Sequence, residues 1–138
     1  MTDRRALLSR LERLRAVERQ EALARLAQAR AEQRRMEEVA ARSRMLAGDS
    51  SATVGVQDGA ALASTLMFQA RLAGLVNDAD HMGARASAVE ALALARFANA
   101  DRRLERVRER RHQADCAAET QQMARSLLNS SQKPRRLF

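Results

Sequence analysis

Few residues in this chain have the chemistry for acid–base, nucleophilic or metal work. They are Cys116, His81, His112 and the carboxylates Asp78 and Asp80 beside His81. A cysteine becomes a nucleophile when a base or a cation stabilises its thiolate, and no partner base is evident for Cys116. The two histidines stand 31 residues apart with no ligand-type neighbours at metal-site spacing. Asp78, Asp80 and His81 could share a proton, but no surrounding pattern supplies a pocket to hold a substrate against them. The five glycines form neither a GxxxxGK[ST] nor a GxGxxG phosphate cradle. We therefore expect a protein that is not an enzyme, with no catalytic residues, no cofactor and no metal.

The elements that would position any site are helices. The chain has 138 residues, 30% of them charged and 46% hydrophobic, and the apolar share is carried largely by 29 alanines. Arginine outnumbers lysine 24 to one, and the only aromatics are Phe68, Phe97 and Phe138. Strong helix formers with a single proline and five glycines indicate long helices or coiled coil. Sheets want β-branched and aromatic residues, so sandwiches and barrels are excluded. No uninterrupted apolar run approaches the roughly 18 to 20 residues that span a bilayer. The N-terminal leucines are broken up by arginines, unlike a signal peptide. One cysteine leaves no internal disulfide and suits a reducing cytoplasm.

Residues 3–47 contain no Gly and no Pro and read as one helix. Its apolar stripe can be written Leu7, Leu11, Leu14, Ala22, Leu26, Ala29, Met36 and Ala40, with a stutter near Glu18. Gly48 then stands where a helix-ending glycine would. Residues 48–59 are rich in turn formers, and Asp58 is a plausible N-cap. Residues 60–128 read as a second helix, followed by a flexible tail over 129–138. Every seventh residue from Leu72 gives Ala79, Ala86, Ala93, Ala100, Val107, Ala114, Gln121 and Leu128, a sustained heptad position. Its companion runs Leu75, Met82, Val89, then Phe97, Leu104 and Ala118 after a shift of one. Two glycines, Gly74 and Gly83, are the weak spot of this helix. The expected fold is all-α: one domain over 1–138, an antiparallel two-helix coiled-coil hairpin with the longer helix second. Pairing about the middle of the turn would bring Asp3 beside Arg103 and leave about 25 residues of the second helix overhanging.

The net charge of +8 is unevenly placed: +5 over residues 3–47, −2 over 48–100 and +5 over 101–138. A chain that doubles back brings its two basic ends together. Residues 101–111 hold six arginines and three acids. They read as a solvated helix with pairs such as Glu105–Arg108, as a docking surface for an acidic protein, or as a nucleic-acid surface. Arg103, Arg110 and Arg111 fall at or beside seam positions, where charge is unwelcome without a partner, and arginine favours carboxylates through its fork. Interspersed acids and the lack of stacking aromatics argue against nucleic acid. Near the turn, Leu66, Met67, Phe68, Leu72, Leu75 and Val76 are too many apolar side chains for one narrow stripe. Some should stay exposed as a landing patch.

Two stretches carry a resemblance. Leu104-Glu-Arg-Val-Arg-Glu-Arg-Arg111 on the long second helix, and the run from Leu11 to Ala27, resemble the flagellar export protein FliJ family, which is related to the YscO-type stalk proteins of injectisomes. The resemblance implies a stalk protein of the type III export apparatus, similar to the central coiled coil of rotary ATPases, cytoplasmic and peripheral at the inner face of the cell membrane. Implied partners are the export ATPase ring, the cytoplasmic domain of the export gate and export chaperones. On that resemblance Leu104, Glu105, Arg108, Arg110 and Arg111, together with Arg103, would form the ATPase end. Phe68 and Leu72 match the Phe-x-x-x-Leu spacing of the gate-binding face. Leu75 and Ala79 take its next two positions with types unlike the family's, and the family's tyrosines are absent. A monomer is expected; a homodimeric scaffold and a basic nucleic-acid-binding helix pair are the alternatives.

Overall fold

The computed structural model describes residues 2–52 and 59–132, and the side chains of 3–49 and 59–132. The described residues are helical except for a turn at Gln132, and no strand occurs among them. Helix α1 is Thr2–Ala52, 51 residues, and helix α2 is Gly59–Ser131, 73 residues. The two helices pack against each other. The expected N-cap Asp58 lies outside the described residues, as do residues 133–138 of the expected tail.

Both helices outrun their expected bounds. Gly48 does not end α1, because no glycine among the described residues adopts positive φ, and a C′ glycine stops a helix through that left-handed conformation. Packing overrides the cost of about 1 kcal/mol that glycine imposes on a helix: Ser43 and Ala47 of α1 are half-buried. Arg42 and Arg44 are accordingly not in the last turn, which holds no basic residue. At the other weak spot, α2 runs unbroken through Gly74 and Gly83. It also continues to Ser131, so residues 129–131 are helix rather than tail.

Contacts divide the chain into two compact units, one joining Met1–Glu21 to Ala98–Phe138 and the other formed by Ala22–Phe97. In each unit the helices run in opposite directions. Within the first, Arg5 meets Asp115, Glu12 meets Arg108, and Arg19 meets Asp101. Within the second, Arg30 meets Glu90 and Arg44 meets Asp80. This register corrects the expected one: Arg5 faces Asp115, so Asp3 is not beside Arg103. Residues 101–111 are paired with α1, and the part of α2 that runs past the start of α1 shortens to about 13 residues, near 20 Å at 1.5 Å per residue. A pairing centred on the turn assumes that both helices begin packing at equal distances from it. Here α1 continues to Ala52, and the first buried residue of α2 is Leu72.

Burial redraws the stripes as well. On α1, Leu7 and Leu14 are 62% and 54% exposed. The inward rows are instead 8, 15, 22, 29, 36, 43 and 12, 19, 26, 33, 40, 47, all buried or half-buried and all spaced by seven. The stutter near Glu18 is therefore absent. Arg15 and Arg19 fill seam positions because a long arginine stem can lie along apolar surface while its head reaches an acid: Arg15 bonds Glu18 and Arg19 bonds Asp101. On α2 the expected row from Leu72 to Ala114 is buried or half-buried, whereas Gln121 and Leu128 are exposed. The expected companions Leu75, Met82 and Val89 are also exposed. The half-buried companions are Val76, Gly83, Glu90 and Phe97, leading to Leu104, in unbroken heptads.

The buried set is small: Leu26, Ala29, Ala40, Leu72, Ala79, Ala86, Leu104 and Val107, with no buried polar or charged residue among the described ones. One 18-residue window of α2 reaches a mean hydropathy of 1.3, so by length and composition this helix is long and apolar enough to cross a membrane, although only 6% of the window is buried. Uninterrupted apolar runs are short, as expected, and the window average is the more tolerant measure. Averaging tolerates the isolated Gln69 and Arg71 between leucines, which break a run without outweighing it.

Candidate functional site

The arginine-rich stretch 101–111 belongs to the unit that also contains the start of α1. Its helical period divides it into two faces. Leu104, at 2% exposure, and Val107, at 6%, point into the seam. Beside them Arg108 and Arg111 converge on one carboxylate of α1, that of Glu12. Arg111 donates to Glu12 Oε2, while the Arg108 guanidinium lies 3.6 Å from Oε1. The hydrogen bond from Arg111 holds the Glu12 carboxyl below its ordinary range, against a smaller opposing effect of burial. Glu12 in turn raises Arg111. Arg108 thus turns to Glu12 rather than to the Glu105 expected as its partner. Arg102, Arg103, Glu105, Arg106, Glu109 and Arg110 form the other, exposed face.

Of the six residues expected at this end, the structure therefore leaves three fully outward, Arg103, Glu105 and Arg110. It commits Leu104 to the core and Arg108 and Arg111 to Glu12. Glu12 itself went unnoticed in the sequence, although it stands seven residues from both Arg5 and Arg19, and all three find opposite charges across the seam.

In the unit Ala22–Phe97, the four positions expected to form an apolar face divide likewise. Leu72 and Ala79 are seam residues at 7% and 5% exposure, whereas Phe68 and Leu75 are 55% and 57% exposed. The exposed pair has apolar company in the opening turns of α2: Leu62, Leu66 and Met67 are also exposed. These turns carry a single charge, Arg71, so they present apolar surface of the kind associated with partner contact. Met45 and Leu46 of α1 are exposed too.

The chemistry-bearing residues remain scattered. Asp80 is engaged by Arg44 rather than by His81. Cys116 does have a base as neighbour, which corrects the reading above. His112 Nε2 lies 3.7 Å from its sulfur, one helical turn away, and their i,i+4 spacing was the available signal. Both side chains are exposed. Among the described residues no three or more His, Cys, Asp or Glu side chains group closely enough to hold a metal ion.

Comparison with protein-family models, with characterised proteins and with solved structures finds no match.

Proposed function

We propose that this chain is an antiparallel coiled-coil hairpin acting as a non-enzymatic stalk of a type III protein export apparatus. It couples an export ATPase ring to the export gate or to export chaperones, working as a monomer in the cytoplasm at the inner face of the membrane. The observation that carries the reading is the presence of two chemically different surfaces on one pair of helices. One unit exposes Arg103 and Arg110 beside a paired seam, and the other exposes Phe68 and Leu75 beside an alanine-rich one. Their resemblance to the FliJ family supplies the partners. Two surfaces with different partners allow binding at one to change the affinity at the other, which is what coupling requires. Leu72, Ala79, Leu104 and the Glu12-bound Arg108 and Arg111 hold the helices, and the exposed residues make the contacts.

The test separates the surfaces. Arg103→Glu with Arg110→Glu should abolish stimulation of a hexameric export ATPase while helicity, followed by circular dichroism, is unchanged. Phe68→Ser with Leu75→Ser should spare that stimulation and weaken binding to the gate domain. Unchanged stimulation in the first variant, or loss of both activities in either, would overturn the assignment. The exposed Leu62, Leu66 and Met67 favour one second reading, a self-associating scaffold, for which sedimentation should give twice the 15.3 kDa chain mass.

A further inference from the structure

A second surface of the arginine-rich unit shares only Arg110 with this reading. A groove of about 650 Å³ opens between the first turn of α1 and the face of α2 that runs from Arg110 to Arg125. Its floor is Ala114, Ala117 and Ala118, and its walls carry Arg4, Arg5, Arg110 and Arg125. No carboxylate lines it. Arg5 is 3.6 Å from Asp115, but among the described residues no acid pairs with Arg4, Arg110 or Arg125. At the seam of this unit Arg19 meets Asp101 and Arg111 meets Glu12. The charged groups that line the groove are all arginines, so its own lining offers positive charge and no acid.

The floor says what shape the occupant has. Ala114, Ala117, Ala118, Gln121 and Arg125 recur at three- and four-residue steps along one face of α2, about 16 Å over three turns. Methyl side chains let another backbone approach closely, and the seam row of α2 continues past the start of α1 with Gln121 exposed. Ala114 and Ala118 are half-buried while Ala117 and Gln121 are exposed, so this stripe is only partly covered, and its small-residue floor fits a third helix packed by ridges and grooves. Arginine forks at the rim suit carboxylates in two-point geometry. The groove offers no aromatic ring on which a nucleotide base could stack.

We propose that this groove docks an acidic amphipathic helix of a protein partner, with its small apolar stripe on the three alanines and its flanking Asp or Glu side chains on Arg4, Arg110 and Arg125. The proposal rests on the reading of this unit as a docking end, but not on the partner being an export ATPase.

The experiment uses the full chain and a fluorescent, end-blocked 18-residue helical peptide of Ala and Leu with Glu along both edges of its apolar stripe, followed by anisotropy. Binding should fall more than tenfold when the peptide's Glu are replaced by Gln, and similarly for Arg110→Glu with Arg125→Glu. Ala117→Trp, which fills the floor and leaves every charge in place, should also lose at least tenfold, with helicity of all variants checked by circular dichroism. Full binding by Ala117→Trp, equal binding of the Gln peptide, or tighter binding of an 18-mer oligouridylate would each overturn the proposal. Because no ATPase is present, failure here is distinct from failure of the export reading, which the stimulation assay decides.

Discussion

The unit joining Met1–Glu21 to Ala98–Phe138 and the unit Ala22–Phe97 close the same kind of helix–helix contact by different means. In the first, three cross-helix pairs recur every seven residues and alternate in sign: Arg5 with Asp115, Glu12 with Arg108, Arg19 with Asp101. A slip of one heptad either way would set Arg5 against Arg108 or Glu12 against Asp115, like charge on like. Exposed ion pairs contribute little stability each, but this alternation penalises the wrong registers and so specifies the right one. In the second unit the cross-helix pairs Arg30–Glu90 and Arg44–Asp80 have the arginine on α1 and the acid on α2. Its core is Leu26, Ala29, Ala40, Leu72, Ala79 and Ala86, where small side chains let the helices come close. One unit fixes its register by charge, the other its packing by size.

The largest effect that would test this contrast is at the leucines both units share. Leu104→Ala and Leu26→Ala each remove a nearly fully buried side chain, at 2% and 3% exposure. Each should cost about 2–5 kcal/mol in urea denaturation followed by helicity. A loss under about 1 kcal/mol at Leu104 would mean that the charge ladder, not the leucine, holds its unit. Next in size is Ala86→Leu, which inserts three carbons into the alanine seam and should destabilise by about 1–3 kcal/mol. The exposed Ala88→Leu serves as control and should be nearly neutral. If Ala86→Leu is also neutral, the second unit is not closely packed and the contrast fails.

These experiments bear on what the sequence could reveal. Helix content, the two-helix pairing and the heptad row from Leu72 to Ala114 were legible, because composition and period seven survive without tertiary knowledge. The companion row was not, since two of its members, Gly83 and Glu90, do not look like core. Glu90 lies in the seam by its stem and sends its carboxylate to Arg30. The same snorkelling hid Arg15 and Arg19 on α1, where Leu7 and Leu14 looked better and turned out exposed. Register was lost for a related reason: hydrophobic rows repeat, so any heptad slip satisfies them, and only Arg5, Glu12 and Arg19 read against Asp115, Arg108 and Asp101 distinguish one from the next. Of the site, an exposed apolar surface near the start of α2 was legible, whereas Arg103 and Arg110, read as lying at or beside the seam, are on the outward face. The groove was not, because it needs Arg4 and Arg125 brought together by that register.

The end of α1 was misread because Gly48 looks like a stop, and a smaller effect tests it. Gly48 and Gly74 are helical, exposed and without positive φ, and an added Cβ meets nothing within 4 Å. Gly48→Ala and Gly74→Ala should each stabilise by up to about 1 kcal/mol. Were Gly48 a left-handed cap, Gly48→Ala would instead destabilise while Gly74→Ala still stabilised, so the pair of midpoints separates a continuous α1 from one that stops at residue 47.

The smallest effect belongs to the rung of the ladder where two arginines share one acid. Glu12→Gln keeps the side-chain shape and an acceptor for Arg111 but removes the charge that Arg108 and Arg111 meet. At neutral pH the loss should be about 0.3–1 kcal/mol, the range of exposed ion pairs. Its pH dependence identifies the cause. The Glu12 carboxyl is held below its ordinary value in the folded chain, chiefly by the Arg111 hydrogen bond. The unfolded chain therefore takes up the proton first as pH falls, and the stabilisation present above the unfolded value, about pH 4, fades as pH drops through the folded one. Wild type and Glu12→Gln should differ near pH 7 and converge in acid, and added salt should narrow the gap at neutral pH. A gap that stays constant from neutral to acid pH would assign the effect to packing and leave the register of this unit without its central charge.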